Sequence, residues 1–323
     1  MAIIETRALR KEFVRARGGR TVALAGLDVS VPEGGVFGFL GPNGSGKTTT
    51  IRCLLGLVRP TDGSCRLLGA NSTSQTDLAR VIRRVGSIVE TPALFPGFSG
   101  RRNLTLLARL DGIGPKTVDD MLQRVGLATR ADDRVRTYSL GMRQRLGIAA
   151  ALIKDPEVLI LDEPANGLDP AGMKEVRDLL RTLAREGRTV FLSSHLLGEV
   201  QQICDRVAIL SRGRCIAAGP VDEVLAQGRA AGMLVRVDDT QGALAALASA
   251  GIEATLRDGV VRVNLPAREG ARITKVLADH GLYLKELRTD EISLESVFLE
   301  LTGDGGLSGR MAEPARPDTG PST

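Results

Sequence analysis

Tryptophan is absent from this chain, and its 323 residues include only two Tyr and seven Phe. Binding single-stranded nucleic acid by base stacking requires aromatic platforms, so a nucleic-acid partner is not expected. The four cysteines, Cys53, Cys65, Cys204 and Cys215, show no C-x-x-C spacing. That excludes the common zinc-ribbon and disulfide-framework patterns and fits reduced thiols in the cytoplasm. No apolar run approaches the roughly 18 residues that span a bilayer. The start, Met-Ala-Ile-Ile-Glu, lacks the basic-then-apolar order of a secretory leader. Charge of one sign is scarce as well: 43 basic residues against 38 acidic give a net +5. The two signs are interspersed, so no stripe that would track a phosphate backbone emerges. The local group Arg10, Lys11, Arg15, Arg17 and Arg20, beside Gly18-Gly19, reads as a solvated face.

What the chain has is length for two domains and one pattern rich in glycine. Residues 41–48 run Gly41-Pro42-Asn43-Gly44-Ser45-Gly46-Lys47-Thr48, followed by Thr49. This fits G-x-x-x-x-G-K-[ST]. Glycines let backbone N–H groups wrap a polyphosphate, the lysine meets the β- and γ-phosphates, and the Thr48 hydroxyl faces Mg²⁺. Val36–Leu40 before it reads as a buried strand and Thr48–Leu57 after it as a helix whose N-terminus faces the anion. A second element, Val158-Leu159-Ile160-Leu161-Asp162-Glu163, is a buried strand ending in two acids. Asp162 is suited to holding Mg²⁺ and Glu163 to polarising the attacking water.

Strand and helix patterns alternate through residue 220, which predicts a mainly parallel α/β sheet. Ahead of it, Ala2–Val14 and Thr21–Val31 predict an antiparallel ribbon. Helices are expected over Ser99–Leu110 and Thr117–Val125, inside a helical region at about 90–137, and after Ser139 through Leu152. Residues 221–231 read as a linker. Residues 232–303 follow a β-α-β-β-α-β order, that of a ferredoxin-like domain. In that order Ile252–Leu256 and Leu282–Leu287 are its second and fourth strands. The tail, 304–323, has a disordered composition.

The stretch Tyr138-Ser139-Leu140-Gly141-Met142-Arg143-Gln144-Arg145 resembles the signature motif of ATP-binding cassette (ABC) proteins, usually L-S-G-G-Q before R-Q-R. Ser139 and Gly141 match; Leu140 and Met142 depart. Together with the phosphate loop, Asn166-Gly167-Leu168-Asp169-Pro170 and the end Ser293–Thr302, it is similar to ATPase subunits of ABC-2-type exporters of drugs and antibiotics, the daunorubicin-resistance group among them. The resemblance implies a P-loop ATPase core with an antiparallel β-subdomain and a helical subdomain. It implies ATP and Mg²⁺, a homodimer, and a separate multi-span permease that holds the chain at the cytoplasmic face of the membrane. Ser139, Leu140, Gly141, Met142 and Asp169 would complete the partner's ATP site. His195 would contact the γ-phosphate. Phe13 would stack on adenine, although its amphipathic run would bury a Phe nearly as readily. The family's loop glutamine falls at Glu90, which either substitutes as a hard oxygen ligand for Mg²⁺ or serves coupling only; substitution is favoured. A soluble ABC ATPase acting on ribosomes or nucleic acid, or in regulation, is the alternative. The single cassette and the lack of long insertions weigh against it.

Overall fold

The computed structural model describes residues 2–14, 18–226, 232–257, 259–290 and 293–302. Arg15, Arg17, Asp258, the linker's residues 227–231 and the tail lie outside these. The chain divides into two compact units, Met1–Val224 and Leu225–Thr323.

The first unit opens with β1 (Ala2–Val14) and β2 (Arg20–Pro32), paired antiparallel through several register shifts. Strand β3 (Gly35–Leu40) runs through the glycine loop into α1 (Lys47–Leu54). β4 (Asp62–Leu67), the short β5 (Ala70–Asn71) and α2 (Gln75–Val81) follow, then β6 (Val85–Ile88). Next come α3 (Gly100–Leu110), α4 (Pro115–Arg124) and α5 (Leu140–Leu152). The unit continues with β7 (Val158–Asp162), α6 (Pro170–Arg185), β8 (Thr189–Ser194), α7 (Leu197–Gln201), β9 (Arg206–Ser211) and β10 (Arg214–Pro220).

One sheet has the order β2-β1-β4-β5; the other has β10-β9-β3-β8-β7-β6, with β3, β6, β7, β8 and β9 joined by parallel pairings. β7 and β8 are buried at every position, as expected of parallel strands covered on both faces. One apolar cluster joins Leu9, Leu27 and Leu67 of the first sheet to Ile51 and Leu54 of α1 and to Phe39, Ile160 and Phe191 of the second. The helix that follows the glycine loop is therefore anchored on apolar side chains from both sheets. Burial of each such side chain stabilises by about 1.5–3 kcal/mol. A separate cluster holds α3, α4 and α5 together through Leu104, Val118, Leu122, Leu146 and Ala149.

Helix α8 (Val221–Leu225) spans the division between the units. The second unit contains β11 (Met233–Arg236), α9 (Thr240–Ser249), β12 (Ala254–Arg257), β13 (Val260–Val263), α10 (Gly270–Asp279), β14 (Glu286–Thr289) and α11 (Leu294–Thr302). Its sheet is antiparallel with order β12-β13-β11-β14. Val235, Val261 and Val263 pack on Leu247, Ile273 and Leu277 of the two helices.

Two strands start later than the sequence pattern predicts, for one reason. Ile252 N–H donates to Leu247 O after Gly251 (φ 70°), and Leu282 N–H donates to Leu277 O after Gly281 (φ 73°). Both apolar residues close the C-terminus of the preceding helix through a left-handed glycine. Their hydrophobicity reflects that closure and core packing rather than strand pairing. No helix among the described residues is long and apolar enough to cross a membrane.

Candidate functional site

The glycine loop is compressed from both sides. A Cβ on Gly46 (φ 109°) would lie 2.6 Å from Leu24 Cδ2 and 2.8 Å from Ala23 O. One on Gly41 would lie 2.5 Å from Leu210 O. These positions exclude any larger residue. Gly41 N–H donates to Ser194 O at the end of β8, and Gly213 N–H donates to Ser45 O, so the loop is braced by two neighbouring strand ends. Pro42, Asn43 and Gly44 form its exposed rim, whereas Thr48 and Thr49 are half-buried at the helix start. Helix α1 has no side-chain cap and no acid in its first turn, which leaves its N–H groups for an anion. The Ser45 hydroxyl is buried and has no hydrogen-bond partner among the described residues. An orphan donor inside a loop of backbone N–H groups fits a phosphate oxygen.

Lys47 is 5 % exposed. Its ammonium donates to Gly41 O (2.7 Å) and Pro42 O (3.2 Å) and lies 3.2 Å from Glu163 Oε1. Asp162, 1 % exposed at the end of β7, accepts a hydrogen bond from the Ser193 hydroxyl. Glu163 has φ 50°, a left-handed conformation rare for a side chain of this size. Its N–H donates to Ser193 Oγ (3.0 Å) and to Ser193 O (3.2 Å), which fixes that geometry. Its other carboxylate oxygen accepts from His195 N–H (3.3 Å) and lies 2.8 Å from His195 Nδ1. The structure thus brings Lys47, Glu163 and His195 into one chain of polar contacts, with Asp162 beside it. Ser193, which serves both acids, was not singled out from the sequence. Its only signal there is its place at a strand end two residues before His195.

The oxygen donors of the Thr48 hydroxyl and the Asp162 carboxylate suit Mg²⁺, which takes one or two carboxylates alongside substrate phosphates. No group of three His, Cys, Asp or Glu side chains among the described residues could hold a metal by itself. Glu90 lies just past the end of β6, the neighbour of β7 in the sheet. Its carboxylate does not join the Asp162 group. It accepts from Arg52 NH2 at 2.6 Å, one turn of α1 beyond Thr48. Phe13 is 40 % exposed, with Lys11 Nζ 5.0 Å from its ring centre. Phe13 is therefore a surface residue and not a core Phe, with the Lys11 ammonium over its ring.

The signature residues form a second group. Ser139 caps α5, its hydroxyl accepting from Met142 N–H at 3.2 Å, and Asp169 caps α6 by accepting from Gly172 N–H at 2.9 Å. Ser139, Leu140, Gly141 and Asp169 line an open hollow of about 270 Å³. Met142 is half-buried against the helical cluster. No side-chain hydrogen bond or ion pair among the described residues joins this group to Lys47, Asp162, Glu163 or His195.

A parallel sheet with a glycine loop at a strand end, a buried Asp162 and a part-buried Glu163 at the end of the next strand but one and a histidine between them defines a P-loop ATPase. Residues 24–166 match the family described as ABC transporter. The chain belongs to the ATP-binding proteins of ABC transporters. It is 42 % identical over 289 residues to the uncharacterized ABC transporter ATP-binding protein YhcH of Bacillus subtilis, covering 88 % of this chain and 92 % of that one. It is 38 % identical to the bacitracin transport ATP-binding protein BcrA of Bacillus licheniformis (94 % and 98 % covered). The daunorubicin/doxorubicin resistance ATP-binding protein DrrA of Streptomyces peucetius is 37 % identical (93 % and 92 % covered). Among solved structures, cbiO1 of Clostridium perfringens, part of the transporter complex cbiONQ, superposes with TM-score 0.61 at 31 % identity, over 70 % of this chain and 91 % of that one. A dimeric ATP-binding cassette bound to ADP and Pi shares the fold, with TM-score 0.62 at 22 % identity, over 68 % of this chain and 98 % of that one.

Proposed function

We propose that this chain is the subunit whose ATP hydrolysis energises export of a drug, an antibiotic or another hydrophobic compound through a separate multi-span permease. It would work as a homodimer docked at the cytoplasmic face of the membrane. The observation that carries this reading is the chain of contacts from Lys47 through Glu163 to His195, beside a buried Asp162. Near full-length likeness to bacitracin-transport and daunorubicin-resistance proteins supports the exporter assignment.

In this reading the loop N–H groups and Lys47 bind the β- and γ-phosphates, Ser45 donates to a phosphate oxygen and Phe13 stacks on adenine. Thr48, Asp162 and Glu90 supply oxygens to Mg²⁺. When bound, Mg²⁺ neutralises charge on the phosphates and orients them. Glu163 takes the proton of the attacking water on a carboxylate oxygen. His195, held on the other oxygen, reaches the γ-phosphate. Ser139, Leu140, Gly141, Met142 and Asp169 of one protomer close over the ATP of its partner. The helical region at about 90–137 carries the motion to the permease. Residues 232–303 form an accessory domain.

Glu163→Gln keeps the size of the side chain and removes its basicity. ATP turnover in this variant is expected to fall about 10²–10⁴-fold, the usual worth of a general base, with ATP still bound and closed dimers accumulating. Wild-type turnover in Glu163→Gln would remove that carboxylate from the mechanism. Recovery of a multi-span membrane protein in a detergent pull-down supports transport; recovery of ribosomes or nucleic acid would overturn it.

A further inference from the structure

Glutamate at position 90 adds a negative charge to an edge that already carries Asp162 and Glu163. Its strand ends beside theirs: β6 and β7 pair in parallel, Ile88 against Leu161. The backbone at Glu90 is left-handed, φ 63°, a conformation few non-glycine residues adopt without a reason. The carboxylate meets Arg52, whose guanidinium NH2 is 2.6 Å from Glu90 Oε1. Arg52 follows Thr48 by four residues on α1, so the two side chains rise from the same face of the helix, about 5–6 Å apart at Cβ. The partner of Glu90 therefore springs from the same face of α1 as Thr48, one turn further along the helix. Both side chains are partly exposed, 38 % for Arg52 and 59 % for Glu90. An exposed ion pair is weak and exchangeable.

We infer that Arg52 is a positioning residue that holds the Glu90 carboxylate in reserve for the divalent ion. A glutamate at the end of the strand beside the one that carries Asp162 would otherwise be free to bind a cation before nucleotide arrives. Pairing with Arg52 neutralises it until Mg²⁺·nucleotide arrives, and the pair is weak enough for the carboxylate to change partner. Arg52 competes with Mg²⁺ for one carboxylate and thereby sets the magnesium concentration at which nucleotide is retained. This rests on the reading of Glu90 as an oxygen ligand.

The test is a titration of free Mg²⁺ against binding of an imido-bridged ATP analogue, which is not hydrolysed, to the full chain. Glu90→Ala, which removes the side-chain oxygens that a glutamine would keep, is expected to raise the Mg²⁺ needed for half-maximal binding. Arg52→Gln is expected to lower it about two- to fivefold, the range set by an exposed pair, and Arg52→Lys to leave it close to wild type. In the Glu90→Ala background, Arg52→Gln is expected to shift nothing further, while thermal melting shows each variant folded. If Glu90→Ala moves the requirement and Arg52→Gln does not, or if the Arg52→Gln shift persists in the Glu90→Ala background, Arg52 has no such role. An unmoved requirement in Glu90→Ala itself would defeat the ligand reading, and the inference with it.

Discussion

The phosphate-loop group and the signature group lie in the same chain but are built in opposite ways. Lys47 and Asp162 are buried, and Lys47, Glu163 and His195 bond to one another. Ser139, Leu140 and Asp169 are exposed around an open hollow. Among the described residues their side-chain bonds are local caps, Ser139 to Met142 N–H and Asp169 to Gly172 N–H. The first group is pre-organised and arranged to act on a ligand brought to it. The second is an exposed surface whose side-chain hydrogen bonds stay within its own helix ends. Such a surface acquires chemistry only when something with complementary charge closes over it. That difference is the physical argument for a site assembled from two copies.

The largest effect that could break the comparison comes from mixing two inactive variants, Lys47→Ala and Ser139→Asp. Each alone is expected to be without turnover, the first for want of the phosphate cation and the second from a carboxylate facing the γ-phosphate. Equal mixing makes half the dimers mixed, and each mixed dimer retains one intact site, so about a quarter of wild-type turnover is expected to return. A mixture as inactive as its components would mean that both groups serve one site in one chain.

Phe13 offers a smaller effect on the phosphate-loop side. Its ring is solvent-accessible and borders the basic Lys11, so Phe13→Ala should barely change folding stability. Affinity for ATP is expected to fall by about 1–3 kcal/mol, the typical worth of base–aromatic stacking, and affinity for inorganic triphosphate to stay unchanged. Equal losses for both ligands in calorimetric titrations would show that Phe13 acts on the loop rather than on a base.

The two groups also differ in how much of them was legible in the sequence. Lys47, Asp162 and Glu163 could be read because each sits at a forced position: a glycine turn, or the end of an unbroken apolar strand. The second unit could be read from its alternating periods, apart from Ile252 and Leu282, where helix closure took residues that look like strand. Ser193 and Arg52 were not legible. Both act through contacts between elements distant in sequence, and a serine or arginine in a helix or strand gives no local signal of a partner 31 or 38 residues away. Glu90 was read as a ligand from its place in a motif, but a motif does not reveal that a guanidinium already holds the carboxylate.

The smallest effect separates folding from chemistry within the signature group. Ser139 caps α5 through its hydroxyl, so Ser139→Ala is expected to lower unfolding free energy by about 1 kcal/mol. Aspartate caps as well as serine does and adds a charge favoured at a helix N-terminus. Ser139→Asp should therefore melt at or above wild type in denaturant titrations and still fail to turn over ATP. No such separation is expected at Glu163, where the carboxylate that would take the proton also holds Lys47 and His195. If Ser139→Asp is both stable and active, the hydroxyl is a cap and nothing more, and the exposed surface loses its claim to half of the site.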